Sequence, residues 1–516
     1  MNTTTIASLA QLLDQKGLLA GTSNVTAENG ETVVCGVDCD SRVAAPGHLF
    51  VCKGAAFKPA FLRSALDAGC VAYLCDASRK DELAAVADGA PALVAKDAGT
   101  LRLAMAHASA EGWGHPDQDL TVIGITGTKG KSTVSYMLRA ILDAGRPKSR
   151  AAVIGSIDTY DGLIDEESHN TTPESPDLWR HLANARESGL AYVDMEVSSQ
   201  ALKYDRVLGL DLAVACFLNI GRDHISPVEH PNFEDYFESK LRIFDQARVA
   251  VVNLDSDDVE QILGRASRCE RTVTFSASGK KADVWADGIA SSYGTVSFTA
   301  HTPSWEGPVK IGMPGLFNVD NALAAIAICE VLGISSEQIV PALAAARVPG
   351  RMELLESPDP KVTAIVDYAH NKLSYQRFFP SIKQEFPGCR IIAVFGAPGG
   401  KAYERRTELP EVASQYADHI IYTEEDPAND PVEEICQQMA DATPKGTSFE
   451  VILDREKAIR RAVELGFTGE GPAVLCLLAK GDETRQHEGN AFVPCRTDGE
   501  IFQEAANAWH EGHPLS

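Results

Sequence analysis

The chain has 516 residues, 44% of them apolar and 23% charged, with a formal net charge of −25. That length exceeds what one hydrophobic core serves and predicts several domains. The acidic excess excludes nucleic acid and anionic membrane surfaces as partners, while small phosphates remain compatible wherever Lys, Arg and N–H groups concentrate.

Residues 1–17 lack a basic leader and a continuous apolar core, so they predict a short amphipathic helix rather than a targeting segment. The longest apolar runs, such as 473–479, are too short to cross a bilayer. A cytoplasmic protein with no membrane partner is expected. The twelve cysteines are scattered, and Cys35 and Cys39 lack a second Cys/His pair to complete a zinc spacing. Free thiols are the expected state. Up to residue 118, short strands at 32–34, 48–51, 71–74 and 92–94 alternate with Ala-rich helices, ending in a linker at 113–116. This is the first expected domain, 1–118, a smaller α/β unit.

The second expected domain, 119–347, opens on T-V-I-G-I-T-G-T-K-G-K-S-T at 121–133. The apolar run Val122, Ile123, Ile125 stops at a glycine-bounded turn. Val134, Met137, Leu138, Ile141 and Leu142 then recur as one helical stripe. Strand, turn and helix N-terminus make a phosphate cradle from Gly127, Thr128, Lys129 and Gly130. Lys131 is placed to reach the phosphates and Ser132 to offer a hydroxyl to Mg²⁺. The spacing departs from the strict P-loop, because Ile125 stands where the first glycine belongs. Runs at 152–155, 192–197, 212–219 and 249–253 predict buried parallel strands in a doubly wound sheet. Glu196 ends such a strand, where a carboxylate needs either an ion-pair partner or a metal. His224 follows Asp223 after another strand, an arrangement that can orient an imidazole toward metal or substrate.

The third expected domain, 348–516, repeats the pattern with strands at 362–367, 391–396, 419–423 and 473–479 and helices such as 454–465. It reads as a Rossmann-like α/β unit. Ligands of such sheets bind at the carboxyl ends of strands. Polar residues gather there in both blocks, which points to a composite site between domains.

Seven segments resemble the Mur ligase family and occur in its order. They are G-I-T-G-T-K-G-K-S-T, N-T-T-P-E-S (170–175), M-E-V-S-S-Q (195–200), N-I-G-R-D-H (219–224), F-N-V-D-N-A (317–322), V-P-G-R-M-E (348–353) and D-Y-A-H-N (367–371). D-S-R-V-A-A-P-G (40–47) and T-T-P-E resemble the MurE branch, which adds the third residue to UDP-MurNAc-L-Ala-D-Glu.

The resemblance implies ATP and Mg²⁺ as cofactors. It places Lys131, Glu196, His224 and Lys240 at the catalytic centre, with Ser132, Glu196, His224 and Lys240 around the metal. Lys240 matches a lysine that is carbamylated in the family (N6-carboxylysine), which converts a cation into an anionic ligand. ATP contacts are implied for Gly127, Thr128, Lys129, Gly130, Lys131, Ser132, Thr133, Asn318, Asn321, Arg351, Asp367 and His370. Asp40, Ser41 and Arg42 match the UDP-sugar segment. Thr171, Thr172, Ser198 and Arg206 match positions that grip the muramoyl-dipeptide. The implied chemistry is formation of an acyl phosphate and its displacement by an amine, driven by positioning and electrostatics.

Family members that add meso-diaminopimelate carry Asp-Asn-Pro-Arg, whose arginine binds the extra carboxylate. Here the run is Glu425-Asp426-Pro427-Ala428, and Ala428 cannot form a charged fork. Glu425 and Glu483 are the candidates for the distal amine of L-lysine. Lys401, Arg405 and Arg406 are candidates for the α-carboxylate. Ornithine, one methylene shorter, and meso-diaminopimelate are the competing substrates. Folylpolyglutamate synthetase chemistry and a non-ligase nucleotide switch are the competing functions. A monomer acting on ATP, UDP-MurNAc-L-Ala-D-Glu and L-lysine is expected. Lys129 departs from the asparagine common in the family's loop, and 479–486 departs from its usual G-K-G-x-E.

Overall fold

Short apolar runs followed by amphipathic helices fold here as parallel strands with crossover helices. The computed structural model describes residues 4–168, 170–223, 225–226, 229–292, 294–513 and 515. They divide into two units, Met1–Thr274 and Phe275–Ser516.

The first unit begins with the helix Ile6–Gln15, closed by a capping box between Thr5 and Ser8 and burying Ile6, Leu9 and Leu13. Its first sheet runs in spatial order Leu19–Ser23, Ala92–Ala95, Ala72–Asp76, Leu49–Val51, Val37–Asp38. All pairings are parallel except the antiparallel edge strand Leu19–Ser23. That edge strand was not expected, because Ala20, Gly21 and Thr22 are exposed and give no apolar alternation. The expected strand at 32–34 is instead a single bridge from Val33 to Thr5. Its neighbour Val37–Asp38 takes the place in the sheet.

The second sheet of this unit places Thr121–Thr126 at its centre, between Tyr192–Glu196 and Leu212–Phe217. Ala151–Ile154 and Ala247–Asn253 extend it in parallel on either side. Asp158–Tyr160 and Asp165–Glu167 add an antiparallel hairpin. Leu178, Trp179, Val193, Phe217 and Phe244 are buried in one cluster against it. The carboxyl ends of the three central strands therefore share one edge, as doubly wound sheets require of a ligand site.

The second unit opens with an antiparallel meander, Val284–Ser292, Thr295–His301 and Glu306–Ile311. The sequence reading did not include it. Alternate residues face solvent there, so no continuous apolar run marks the strands. The helix Asn318–Leu332 is buried over most of its length. The last sheet has the order Glu353–Glu356, Val362–Asp367, Ala473–Leu478, Arg390–Phe395, His419–Tyr422, Phe449–Val451. Its strands are parallel except for the antiparallel edge Glu353–Glu356. A hairpin, Arg485–Glu488 with Ala491–Pro494, follows. All twelve cysteines are free thiols. Among the described residues no helix is long and apolar enough to cross a membrane.

Candidate active site

The strand Thr121–Thr126 ends in a turn that leads into the helix Lys131–Asp143. Gly130 precedes that helix at φ 94°, a left-handed conformation that favours glycine, and supplies no side chain to cap it. The positive end of the helix therefore points into the turn, ready for an anion. Asn219 fixes the turn from the neighbouring strand end. Its side-chain oxygen accepts from Lys129 N–H and its amide donates to Lys129 C=O, both at 2.9 Å. Its carbonyl accepts from Thr128 N–H at 3.0 Å. The Thr128 hydroxyl lies 3.1 Å from the Tyr236 hydroxyl and accepts from Gly221 N–H at 3.0 Å.

Three ammonium groups surround this turn. Lys131 Nζ and Lys240 Nζ donate to Gly127 C=O, and Lys129 Nζ pairs with Asp223 at 3.3 Å. The departure at Lys129 thus has a structural account: it is an ion pair between two loops of the site. Lys240 lies on the helix Phe233–Leu241, is only 2% exposed and stands 4.9 Å from the Tyr236 ring centroid. Burial, reinforced by Lys131 and Lys129 and opposed by Asp223, pushes its amine well below the ordinary lysine range. A neutral amine is a nucleophile, which is what carbamylation requires.

Glu196 ends its strand almost fully buried. Ser156 donates to it twice, from N–H at 2.8 Å and from its hydroxyl at 3.1 Å. A carboxylate has about four acceptor positions, so capacity for a cation remains. Among the described residues no three His, Cys, Asp or Glu side chains gather into a metal cluster. The oxygen donors Glu196 and Ser132 fit Mg²⁺, which takes one or two protein carboxylates and completes its shell with phosphates and water. His224 lies outside the described residues. Thr171 Oγ1 lies 3.0 Å from Ser156 Oγ, and Thr172 Oγ1 donates to Glu196 C=O while accepting from Ser198 N–H. Ser198 caps the helix Ser199–Lys203. Arg206 donates to Thr172 C=O at 3.0 Å. The structure therefore joins Glu196 and the positions assigned to the dipeptide in one network, whereas Ser132 and Lys240 stand at the phosphate turn. Asp40 and Arg42 form an ion pair at 2.5 Å beside Ser41, with Arg42 exposed.

In the second unit, Asn318 and Asn321 lie on the first turn of their helix and are joined at 2.8 Å. Asp367 accepts from Met352 N–H and Ala369 N–H, Arg351 covers the Tyr368 ring, and His370 Nδ1 meets Tyr368 C=O at 2.6 Å. Arg351, Asp367 and His370 thus gather at the end of Val362–Asp367. Thr133 and Ser132 are both buried at the start of their own helix in the first unit.

The acidic run follows the strand His419–Tyr422. Glu425 is 8% exposed and its Oε2 has no hydrogen-bond partner. Burial raises its carboxyl to about 7, against the opposing pull of Arg405. The run is therefore not an exposed acidic face. Asp426 and Glu483 share Lys480, at 2.9 and 2.7 Å. Ala428 sits at φ 48° and exchanges backbone hydrogen bonds with the hairpin, to His487 C=O at 2.9 Å and from Gly489 N–H at 2.7 Å. Lys401 is exposed, whereas Arg406 is buried and engaged by Asp430, Gln438 and Pro398 C=O. The Arg406 Nε–H is buried without a hydrogen-bond partner. Sequence reasoning also missed Ser156, Tyr236 and Lys480 as partners of the site. Lys480 alone carried a signal, as a lysine directly before Gly481-Asp482-Glu483.

Residues 125–329 match the Mur ligase middle domain and residues 350–481 the Mur ligase, glutamate ligase domain. The chain is 36% identical over 480 residues to a UDP-N-acetylmuramyl-tripeptide synthetase of Bifidobacterium longum, covering 91% of each. It is 34% identical over 482 residues to a UDP-N-acetylmuramoyl-L-alanyl-D-glutamate--L-lysine ligase of Enterococcus faecalis, covering 93% of this chain and 92% of that one. In fold it is similar to a solved UDP-N-acetylmuramoyl-L-alanyl-D-glutamate--2,6-diaminopimelate ligase, with TM-score 0.64 and 24% identity over 94% of this chain and 97% of that one. Matched by both family models and by relatives over nearly its whole length, the chain belongs to the Mur ligase family.

Proposed function

We propose that this chain is the ATP-dependent ligase that joins L-lysine to the D-Glu of UDP-MurNAc-L-Ala-D-Glu, in cytoplasmic synthesis of the peptidoglycan precursor. The observation that carries the choice of amino acid is the Glu425–Ala428 run. A buried carboxylate with an unpartnered oxygen suits an ammonium group, and an alanine whose backbone is closed by the hairpin offers no fork for a second carboxylate.

The D-Glu side-chain carboxylate attacks the γ-phosphorus of ATP, ADP departs, and an acyl phosphate results. The α-amine of lysine then attacks the acyl carbon, loses a proton, and inorganic phosphate leaves as the amide forms. Lys131 and the helix N-terminus neutralise charge on the phosphates during the transfer. Glu196, Ser132 and Lys240, the last as a carbamate, would hold Mg²⁺, which would supply charge neutralisation to the transferring phosphoryl group. Thr172 and Arg206 hold the muramoyl-dipeptide, and Asn318, Asn321, Arg351, Asp367 and His370 contact the nucleotide. Residues 1–118, 119–347 and 348–516 act as UDP-sugar, ATP and amino-acid domains of a monomer.

Phosphate release with UDP-MurNAc-L-Ala-D-Glu and ATP tests the reading, with lysine, ornithine and meso-diaminopimelate compared. Lysine-dependent release with a tripeptide product is expected. Preference for either competitor overturns the amino-acid assignment, and no release with any amino acid overturns the ligase reading.

A further inference from the structure

Between the N-terminal sheet and the dipeptide motif lies an ion triplet of which Arg206 alone has an assigned role. Glu174 precedes the helix Ser175–Glu187, yet its side chain makes no capping bond there. Its two oxygens instead take one cation each: Oε2 meets Lys53 Nζ at 2.8 Å and Oε1 meets Arg206 Nη2 at 2.9 Å. Lys53 stands two residues beyond the strand Leu49–Val51, at the carboxyl edge of the parallel sheet that also ends at Asp38 and leads into 40–42. Arg206 is held at three points by the same turn. Nη2 pairs with Glu174, Nη1 donates to Thr172 C=O at 3.0 Å, and the Arg206 carbonyl accepts from Ser175 Oγ at 2.9 Å. Its Nε–H is buried without a hydrogen-bond partner. A guanidinium has five N–H donors, so an arginine held in this way keeps several for an anion.

We infer that Glu174 is a positioning residue for binding of the muramoyl substrate: its carboxylate holds Lys53 and Arg206 as a fixed pair of cations that receives the anionic groups of that substrate. The inference rests on the ligase reading above and adds Lys53 as a binding residue. One carboxylate between two cations leaves the triplet with a net positive charge. The triplet is only partly exposed, with side-chain exposures of 27%, 25% and 16% for Lys53, Glu174 and Arg206, so its geometry is better fixed than that of a surface pair.

The test measures KM for UDP-MurNAc-L-Ala-D-Glu, KM for ATP and kcat in E174Q, E174D, K53M and the E174Q/K53M double variant, with thermal melting as the control for folding. E174Q and K53M should each raise the muramoyl KM about tenfold while KM for ATP and kcat stay within about twofold, the size of one lost charge-assisted contact. E174D should recover part of the loss. The double variant should fall short of additivity, because part of the E174Q effect runs through Lys53 and the rest through Arg206. An unchanged muramoyl KM in folded E174Q, or fully additive effects, overturns the inference and leaves the ligase reading standing. Wild-type protein that does not bind UDP-MurNAc-L-Ala-D-Glu in calorimetry overturns both.

Discussion

Lys131 and Lys240 donate to the same acceptor, the carbonyl of Gly127, at 3.0 and 2.8 Å. They lie 109 positions apart, on the helix after the phosphate turn and on the helix Phe233–Leu241. Burial of Lys240, and after it the neighbouring Lys131 ammonium, favour the neutral amine of Lys240. The packing that buries this lysine beside the turn therefore prepares it as a nucleophile toward carbon dioxide.

Lys240→Arg is expected to abolish ligation, because a guanidinium stays protonated and cannot carry a carbamate. Phosphate release should fall at least about a hundredfold, as for loss of a group that stabilises transferring charge. Carbon-13 NMR with labelled bicarbonate should show a carbamate resonance in the wild type that disappears in the variant. Wild-type activity in Lys240→Arg would remove the carbamate from the mechanism.

Asn219→Ala should harm nucleotide binding more than Lys129→Asn. Asn219 holds both backbone groups of Lys129, whereas the Lys129 ammonium makes a partly exposed ion pair with Asp223. Loss of two buried-side hydrogen bonds predicts a rise in KM for ATP of roughly tenfold or more, and the lysine substitution about threefold or less. The reverse order in steady-state kinetics would contradict the assigned roles.

Glu425 is raised by burial to about 7, so its negative charge develops as pH passes through that value. Lysine keeps its distal ammonium throughout this range. KM for lysine should therefore fall as pH rises from 6 to 8, and Glu425→Gln should have a high and nearly flat KM. For stability the sign is opposite: the raised carboxyl favours the fold below its unfolded value and loses that contribution as pH rises through about 7. A lysine KM in Glu425→Gln that equals wild type at pH 8 would count against Glu425 as the amine site.

Asp161 offers a separate check on the fold. It is fully buried, and it accepts from Leu163 and Ile164 N–H, Asn184 and His181 at 2.7–2.9 Å. Burial alone would raise its carboxyl, but these donors outweigh it and hold it below the ordinary aspartate range. Its stabilisation is thus present at neutral pH and lost as pH falls through its depressed value. Asp161→Ala should cost about 3 kcal/mol at pH 7 by leaving buried donors unmatched. Urea unfolding at pH 7 and pH 3 should show that difference shrinking in acid.

The parallel strands were legible because burial on both faces writes them as short apolar runs. The strand Val362–Asp367 lies where its residues predict it, and the phosphate turn follows from glycines between a strand and a helical stripe. The antiparallel meander from Val284 to Ile311 was not legible, since one-sided burial leaves only a weak alternation. Residue type and spacing were enough to nominate Lys131 and Glu196, and the family resemblance added Lys240 and Glu425. Tertiary structure alone decided their state. It buried Lys240 against two other lysines, engaged Arg406 with Asp430, paired Lys129 with Asp223, and set Glu174 between Lys53 and Arg206. Sequence fixes which groups can carry charge, but desolvation and the distance to the nearest opposite charge come only from the packed chain.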